Sequence, residues 1–363
     1  MNYRLATIMA RLAVAADYTE TIDLNLTDPV SQFHILYEST GVGAGSADHH
    51  AAKCITKIEL VDGSDVLCSL SGQEAQALDF YHRKVEPANL SNYLSAQNAE
   101  MVFNINFGRH LWDPLLAFDP RKFTNPQLKI TMNRSAGGVS SVAGFLTVLA
   151  NIFDGKAVDP TGFFMQKEIK EYGLGDGTHE YTSMPTDYPY RKLLIFAQTE
   201  AHAMDWLLTN IKLSENNDKK IPFDTTLYNY MRAVVGLLPP YREHLIISGG
   251  ATTMTFYCTP CYWPRVQAAS WEVSQVPYTQ TAMGGDGGKG NVYLESAAGN
   301  CDVEVEGWCP HGAIEIPFGL QDDPADWYNV TELGSLMLDI VSGGGRTTAD
   351  KVQIVLQQLR NYA

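Results

Sequence analysis

The sequence has few charged residues and no excess of basic ones. Asp, Glu, Lys and Arg make up 18% of the 363 residues, and the formal net charge is −15. Proteins that bind nucleic acid directly present a clustered positive surface, so this composition argues against direct, sequence-specific nucleic-acid binding. No apolar run reaches the roughly 18 residues that a transmembrane helix needs. The hydrophobic content of 45% is enough for large cores and excludes wholesale disorder.

Cysteine is scarce, with six residues in the chain. Cys258 and Cys261 have the spacing of a metal knuckle or a redox pair, and Cys301, Cys309 and His311 could complete a zinc site. The second pair is spaced more widely than the second pair of common zinc modules. Buried thiols or a local disulfide are therefore the simpler interpretation, and these four cysteines are only weak metal candidates.

Catalytic motifs are also missing. The Gly-rich segment 284–290 lacks the first glycine and the Ser or Thr that a phosphate-binding loop requires. His49 and His50 are adjacent, and adjacent residues of an extended chain point to opposite sides, which disfavours the paired ligands of a cupin metal site. No Gly-x-Ser-x-Gly motif occurs. We therefore expect a protein that is not an enzyme and carries no cofactor.

What the chain does contain is one series of strand patterns that occurs twice. Segment 55–60 alternates between apolar and polar residues, and segment 208–213 repeats this alternation. Segment 103–108 ends in Phe-Gly and is matched by 314–319, and each is followed by Asp-Pro and a further alternating segment. Such alternation is typical of strands with one buried face. The same order and nearly the same internal spacing indicate a duplicated domain.

The residues that define this repeat are paired between the two halves. The first copy contributes Ile58, Leu60, Phe107, Gly108, Asp113 and Pro114, and the second contributes Ile211, Leu213, Phe318, Gly319, Asp323 and Pro324. The glycine after each phenylalanine permits a positive φ where the strand ends, and Asp-Pro begins a turn. Pro317 cannot donate to a ladder of strand hydrogen bonds, which predicts an edge strand or a bulge there.

The patterns predict an all-β protein in which each half is an antiparallel β-sandwich with one helix. Ser71 and Glu74 have the spacing of a capping box, which predicts a helix to about Lys84. The matching helix of the second half is expected from Asp224 to about Leu238. The first sandwich is expected over 19–155, a linker over 156–180, and the second sandwich over 181–363.

The second half is longer because it carries an insertion within about 240–312. Its Gly-rich segment lies between two alternating runs, which predicts a long hairpin with a flexible tip that projects from one end of the sandwich. At the other end of the chain, residues 1–18 are mildly amphipathic, with Arg4 and Arg11 among apolar residues. We expect a short helical arm there, packed under the domains, against a neighbour or a membrane surface, or against the protein's own core.

This combination resembles the major capsid proteins of the double jelly-roll lineage, found in tailless icosahedral bacteriophages and related viruses, many with an internal membrane. The resemblance rests on segments 55–60, 69–72 with the following helix, 103–132 and 190–223, together with the matching segments of the second half. It implies two tandem eight-stranded jelly rolls, each with a short helix between strands, and a tower formed by the insertion.

The resemblance also implies what such a protein does. Three chains with two similar wedges each would form a pseudo-hexameric homotrimer, and trimers would pack with neighbouring trimers into an icosahedral virion shell around the genome. Penton and minor capsid proteins would be further partners, as would lipids of an internal membrane contacted through the N-terminal arm. The role would be structural, without turnover.

Two other classes of protein remain open on the sequence alone. A carbohydrate-binding or receptor-binding β-sandwich spike protein would use the aromatic residues that lie close together in the second half, namely Tyr257, Tyr262 and Trp263. A bicupin-type metalloenzyme would also contain two sandwiches, but it would need a metal site. Sugar binding by small oligomers would identify the first class, and bound metal would identify the second.

Overall fold

The computed structural model describes residues 2–40, 49–94, 97–137, 143–200, 202–247, 253–271, 277–293 and 300–362. Strands of the first half carry the expected alternation of buried and partly exposed side chains; for example, every second residue of segment 126–132 is buried. The elements of this half are β1 (Arg4–Val14), β2 (Tyr18–Asp23), β3 (Val30–Thr40), β4 (Ile55–Asp62), β5 (Asp65–Leu70), α1 (Gly72–Arg83), β6 (Ser91–Asn92), β7 (Asn98–Asn106), β8 (Pro126–Met132) and β9 (Ala143–Ile152).

The second half repeats the same order of strands and a helix, and one inserted segment interrupts this order. Its elements before the insertion are β10 (Gly162–Gly173), β11 (His179–Ser183), β12 (Tyr190–Gln198), α2 (Met204–Leu207), β13 (Leu208–Glu215), β14 (Lys220–Thr226) and α3 (Leu227–Val235). The insertion contains β15 (Tyr241–Ile247), β16 (Thr253–Tyr257), β17 (Pro260–Trp271), β18 (Pro277–Gly284), β19 (Lys289–Tyr293) and β20 (Cys301–Pro310). The series ends with β21 (Ala313–Pro317), β22 (Leu336–Ser342) and β23 (Lys351–Asn361).

Both halves have the connectivity of a jelly roll. Without the short strand β6, the first half places its eight strands in the sheet orders β1-β9-β3-β7 and β2-β8-β4-β5. The second half, without the insertion, places its eight strands as β10-β23-β12-β21 and β11-β22-β13-β14. Counted along each half, both follow the orders 1-8-3-6 and 2-7-4-5, which is the two-sheet jelly-roll arrangement. The predicted double jelly roll is confirmed.

The two jelly rolls are joined through one continuous sheet. Strand β5 of the first pairs in parallel with β10 of the second, with Cys68 opposite Gln166 and Ser69 opposite Lys167. The result is an eight-stranded sheet in the order β2-β8-β4-β5-β10-β23-β12-β21. Asp65 and Arg360 form an ion pair across this junction, with an Nη1–Oδ1 distance of 3.0 Å. A shared sheet fixes the two jelly rolls side by side.

The segment expected to be an N-terminal arm is a strand, so the helical prediction was wrong. β1 pairs antiparallel with β9 along its whole length, but the register shifts between Thr7 and Met9 and again between Met9 and Leu12. Each bulge moves the side chains to the other face, and the apolar residues therefore lose the period of two that marks a regular strand. Only Ala6 and Val14 of this strand are buried.

The expected linker over 156–180 also contains a strand of the fold. β10 runs from Gly162 to Gly173 and pairs with β23, with a register shift between Glu168 and Lys170. Its first residues are buried and its last residues are polar and partly exposed, so no single alternation runs through it. The sequence pattern did not reveal this strand because its two ends lie in different surroundings.

The insertion folds into a sheet, and within it β18 and β19 form the hairpin that the Gly-rich turn closes, as predicted. Its seven strands have the order β16-β19-β18-β17-β20-β15-β6, with the short strand β6 contributed by the first jelly roll. The Gly-rich turn is packed, because a Cβ at Gly287 would collide with the carbonyl oxygen of Thr199. Gln198 Nε2 donates to Gly287 O at 3.1 Å. The prediction of a flexible tip was therefore wrong.

The two jelly-roll helices differ in how well the sequence defined them. α1 begins after Ser71, whose Oγ accepts from Glu74 N while Glu74 Oε2 accepts from Ser71 N, and this capping box agrees with the predicted start. α3 begins at Leu227, after the N-cap Thr226, and not at the predicted Asp224. Asp224 belongs to β14. No helix in the described ranges is long and apolar enough to cross a membrane.

Candidate interaction surfaces and buried polar clusters

The strand residues of the repeat lie in corresponding strands of the two jelly rolls. Ile58 and Leu60 lie in β4, and Ile211 and Leu213 lie in the corresponding strand β13. All four side chains are buried. Each pair faces its own sandwich core because residues two apart in a strand share a face.

The two Phe-Gly corners are built differently. Gly319 has a φ of +70°, as the sequence led us to expect, but Gly108 does not have a positive φ. A Cβ at Gly108 would instead collide with the carbonyl oxygen of Leu116 and with Asp113. Glycine is thus needed for close packing at both corners, and at Gly319 for the backbone conformation as well. Phe107 is buried and Phe318 packs against the second core.

The acidic residues after the two glycines also have different roles. Asp113 is fully buried, and its Oδ2 accepts from Arg109 N at 3.1 Å and from Arg109 Nε at 2.7 Å. In the second jelly roll the equivalent backbone bond is made by Asp326, whose Oδ2 accepts from Leu320 N at 2.6 Å. Asp323 instead caps a short 3-10 helix that begins at Pro324. The residue Pro114 follows Asp113 in the first corner and begins no such helix.

Two equivalent loops expose large apolar side chains. Leu111 follows β7 in the first jelly roll and is 51% exposed, and Leu320 follows β21 in the second and is 68% exposed. Leu237, after α3, is 82% exposed. Pro317 lies in β21, which is the edge of the eight-stranded sheet, as its lack of a donor predicted. These loops and edges are the candidate surfaces for contact with other chains.

The four candidate metal ligands are buried thiols. Cys258 Sγ lies 3.4 Å from Pro260 O, and Cys261 Sγ lies 3.4 Å from Thr259 O. Burial raises the pKa of Cys261 to about 12 and that of Cys301 to about 11, and it also raises the pKa of Cys309. Thiols must lose their protons to bind zinc, which these surroundings oppose. Within the described ranges, no three His, Cys, Asp or Glu side chains are grouped to hold a metal ion.

A buried polar cluster that the sequence did not reveal joins the first jelly roll to the insertion. Glu243 Oε1 lies 2.8 Å from His50 Nε2 and accepts from Ser91 Oγ at 2.9 Å. Glu243 Oε2 accepts from Thr259 N at 2.6 Å. Burial works against ionisation of Glu243, but His50 and these hydrogen bonds hold its pKa below the usual value. The cluster thus fixes the inserted sheet to the first jelly roll.

Helix α1 makes further contacts between the jelly rolls. Tyr81 Oη donates to Ala313 O at 2.8 Å, which ties the helix to β21 of the second jelly roll. Near the start of the helix, Glu74 is fully buried beside Glu168 of β10. Burial raises the pKa of Glu74 to about 8, and the neighbouring carboxylate adds to the rise. Glu74 therefore keeps its proton at neutral pH.

The aromatic residues considered for carbohydrate binding do not form an open platform. Tyr262 is buried in the second core and stacks on Trp263 with ring centroids 4.9 Å apart. The guanidinium of Arg232 lies 3.7 Å from the centre of the Trp263 ring. Tyr257 is held by Glu200, which accepts from Tyr257 Oη at 3.3 Å. Sugar rings bind to uncovered aromatic faces; Trp263 is 41% exposed, but Tyr262 and Arg232 both lie against its ring.

One face of the inserted sheet carries alternating charges around a shallow depression of about 520 Å³. Glu306 of β20 lies between Arg242 of β15 and Arg265 of β17, at 2.9 Å and 3.6 Å. Asp302 lies 3.6 Å from His244. Because opposite charges neutralise one another along the rows, this face has no strong field of one sign.

Comparison with known proteins gives matches only among solved structures. No family model and no curated protein sequence matches the chain. The major capsid protein of Sulfolobus turreted icosahedral virus aligns with a TM-score of 0.62 and 12% identity, over 99% of this chain and 97% of that chain. The major capsid protein of bacteriophage PM2 aligns with a TM-score of 0.55 and 12% identity, over 99% and 98%.

A third match is the capsid of the virus PBCV-1, with a TM-score of 0.56 and 10% identity over 99% of this chain and 94% of that chain. The chain has the double jelly-roll fold of viral major capsid proteins. The double jelly roll is matched over nearly its whole length in all three structures, so neither half nor the insertion lies outside the alignment.

Proposed function

We propose that this protein is a viral major capsid protein that self-assembles into the shell of an icosahedral virion. The main support is that one chain carries two jelly rolls of identical connectivity, held side by side by one eight-stranded sheet. The full-length likeness to three viral capsid structures adds to this support. The role is structural and involves no turnover.

The building block that fits this geometry is a homotrimer. A closed ring of three chains contains six jelly rolls, so that a pseudo-hexameric tile forms from one kind of subunit. The equivalent loops with Leu111 and Leu320 would then occupy related positions around the ring, and each is exposed in the single chain. An obligate interface of this kind buries more than about 2,000 Å², and apolar loops are its natural contacts.

Further partners follow from the shell function. Trimers would contact neighbouring trimers, and penton and minor capsid proteins would complete the vertices and joints of the shell. The proposed contact with lipids of an internal membrane would involve β1, an edge strand whose Leu5 side chain is 57% exposed. With a net charge of −15, the shell would enclose the genome without gripping its phosphates directly.

The proposal is tested by measuring the assembly state of the purified chain. Light scattering after size exclusion is expected to give three chains per particle, and negative-stain microscopy is expected to show hexagonal tiles that associate into sheets or shells. The double variant Leu111→Glu and Leu320→Glu should weaken trimers, whereas Ile221→Glu, at an exposed position of β14, should not. A chain that stays monomeric at all salt and protein concentrations would contradict the proposal.

A further inference from the structure

A cleft of about 340 Å³ lies where the two jelly rolls and the end of α3 meet. The first jelly roll contributes the last turn of α1 and Arg109, and the second contributes β12, β21 and the loop after β21. Its lining includes four cationic residues and two carboxylates, namely Lys84, Arg109, Arg191, Lys192, Glu315 and Asp322. A concentration of positive charge is unexpected in a chain whose net charge is −15.

A single carboxylate, that of Glu315, forms ion pairs with two of these cations. Glu315 Oε2 accepts from Lys84 Nζ at 3.0 Å, and Glu315 Oε1 accepts from Lys192 Nζ. Lys192 and Glu315 are both buried, whereas the Lys84 side chain is 39% exposed. Arg109 is neutralised separately by Asp113, with Nε–Oδ2 at 2.7 Å. This group of two lysines and one glutamate therefore keeps one positive charge.

Arg191 has no carboxylate partner at all within the described ranges, although it is only 2% exposed. Its Nε donates to Gln321 O at 3.1 Å and its Nη1 to Gln357 Oε1 at 2.8 Å, and both acceptors are neutral. The guanidinium also lies 4.6 Å from the centre of the Phe164 ring. These contacts hold the group in place, and the nearby carboxylates Glu315 and Asp322 balance its charge only from beyond ion-pair distance.

Burying a charge without an adjacent counter-charge is costly, and the pKa shifts of the cleft residues reflect this cost. Burial lowers the pKa of Arg191 to about 10 and that of Lys192 to about 8. Burial, with Arg191 next in importance, also lowers the pKa of His82 well below its usual value, so His82 is neutral. An anion in the cleft would therefore gain strong interactions and would relieve this penalty.

We propose that the cleft between the two jelly rolls is a binding site for a small oxyanion, held by the unpaired Arg191 together with Lys84. The ligand class is a free phosphate or carboxylate anion, because a planar guanidinium binds the paired oxygens of both groups. Val234, Leu237 and Pro317 contribute apolar walls to the cleft. Such an anion would link the first jelly roll to the second at a point where their charges are unbalanced.

The test uses inorganic phosphate and acetate as probes on the full chain, with sodium chloride added to keep the ionic strength constant. Isothermal titration calorimetry is expected to show saturable binding of phosphate at one site per chain, and weaker binding of acetate because it carries less charge. Lys84→Gln is expected to weaken phosphate binding about tenfold, as the loss of a charge-assisted hydrogen bond would. Arg191→Met is expected to abolish it.

Lys57→Gln removes the same charge from a half-exposed position of β4 outside the cleft, and it is the matched control. It should leave phosphate binding within about twofold of the original. If Arg191→Met does not fold, the comparison of Lys84→Gln with Lys57→Gln decides the question. Absence of saturable phosphate binding, or equal effects of the two lysine variants, would overturn the proposal.

Discussion

At the scale of single residues, the sequence patterns located the key positions correctly, but they did not predict the structural reason why each residue is required there. The pair Phe107–Gly108 and the pair Phe318–Gly319 were found from spacing, but only Gly319 has the positive φ that the pattern predicted. Gly108 is required by the approach of Leu116 O, a contact between segments that no local pattern records. The surroundings that bury Arg191 and Glu74 also come from segments that are distant in the sequence. These two buried ionisable residues were therefore likewise not predictable.

A comparison of two glycines separates backbone strain from steric collision. Gly63 and Gly319 both have positive φ, but a Cβ at Gly63 meets open space, whereas one at Gly319 would collide with Asp326 O. Gly63→Ala is expected to lower the free energy of unfolding by about 1 kcal/mol. Gly319→Ala is expected to lower it by roughly 3 kcal/mol or more, because the loop must also move. Urea unfolding measures both; equal effects would show that the corner at Gly319 is not tightly packed.

The buried Glu74 is expected to make stability depend on pH. Its folded pKa of about 8 lies above the unfolded value of about 4.3, so the native state binds the extra proton between these two pH values. The stabilising contribution is complete below the unfolded pKa and is lost as the pH rises through the folded pKa. Glu74→Gln should therefore be more stable than the original chain at pH 8, by on the order of a few kcal/mol.

The same variant should match the original chain near pH 4, where both side chains are uncharged. Glutamine retains an oxygen that can accept from Ser71 N, as Glu74 Oε2 does at 2.6 Å. Glu332→Gln, at an exposed position, is the control and should leave the pH dependence unchanged. Thermal unfolding of the three proteins from pH 4 to pH 9 measures the difference. A parallel fall of stability in all three would show that Glu74 does not hold the proton.

At the scale of elements, the sequence predicted the strands with regular alternation and missed those without it. β4, β7 and β8 of the first jelly roll and their counterparts in the second lie where the repeat placed them. β1 was mistaken for a helix because two bulges break its alternation, and β10 was mistaken for a linker because its ends differ in burial. The inserted sheet was not predictable, since β6, its edge strand, comes from the other half of the chain.

The N-caps of α1 and α3 allow a test of whether a capping residue contributes more stability in a buried helix than in an exposed one. Ser71 belongs to a capping box in a helix with many buried residues, while Thr226 caps the more exposed α3 through one long bond of 3.4 Å to Asn229 N. Ser71→Ala is expected to lower the free energy of unfolding by roughly 1 to 2 kcal/mol, and Thr226→Ala by about 0.5 kcal/mol. Denaturant titrations compare them; a larger cost for Thr226→Ala would reverse the assigned importance of the two caps.

At the scale of the whole molecule, duplication was visible in the sequence but the connection between the copies was not. A repeat predicts two similar units, and it says nothing about whether they share a sheet. The structure joins them through the parallel pairing of β5 with β10. One hydrophobic cluster also includes residues from both halves, such as Phe107 of the first and Phe163 and Phe196 of the second. The chain thus has two repeated folds with a partly common core.

This common core predicts that the two jelly rolls unfold together. Domains joined only by a flexible linker unfold separately, whereas here the separation of one jelly roll would expose the paired edges of β5 and β10 and part of the shared cluster. Differential scanning calorimetry at several protein concentrations is expected to show one transition, with nearly equal calorimetric and van't Hoff enthalpies after allowance for any dissociation of oligomers. Two resolved transitions at every concentration would mean that the sheet and the cluster do not couple the halves.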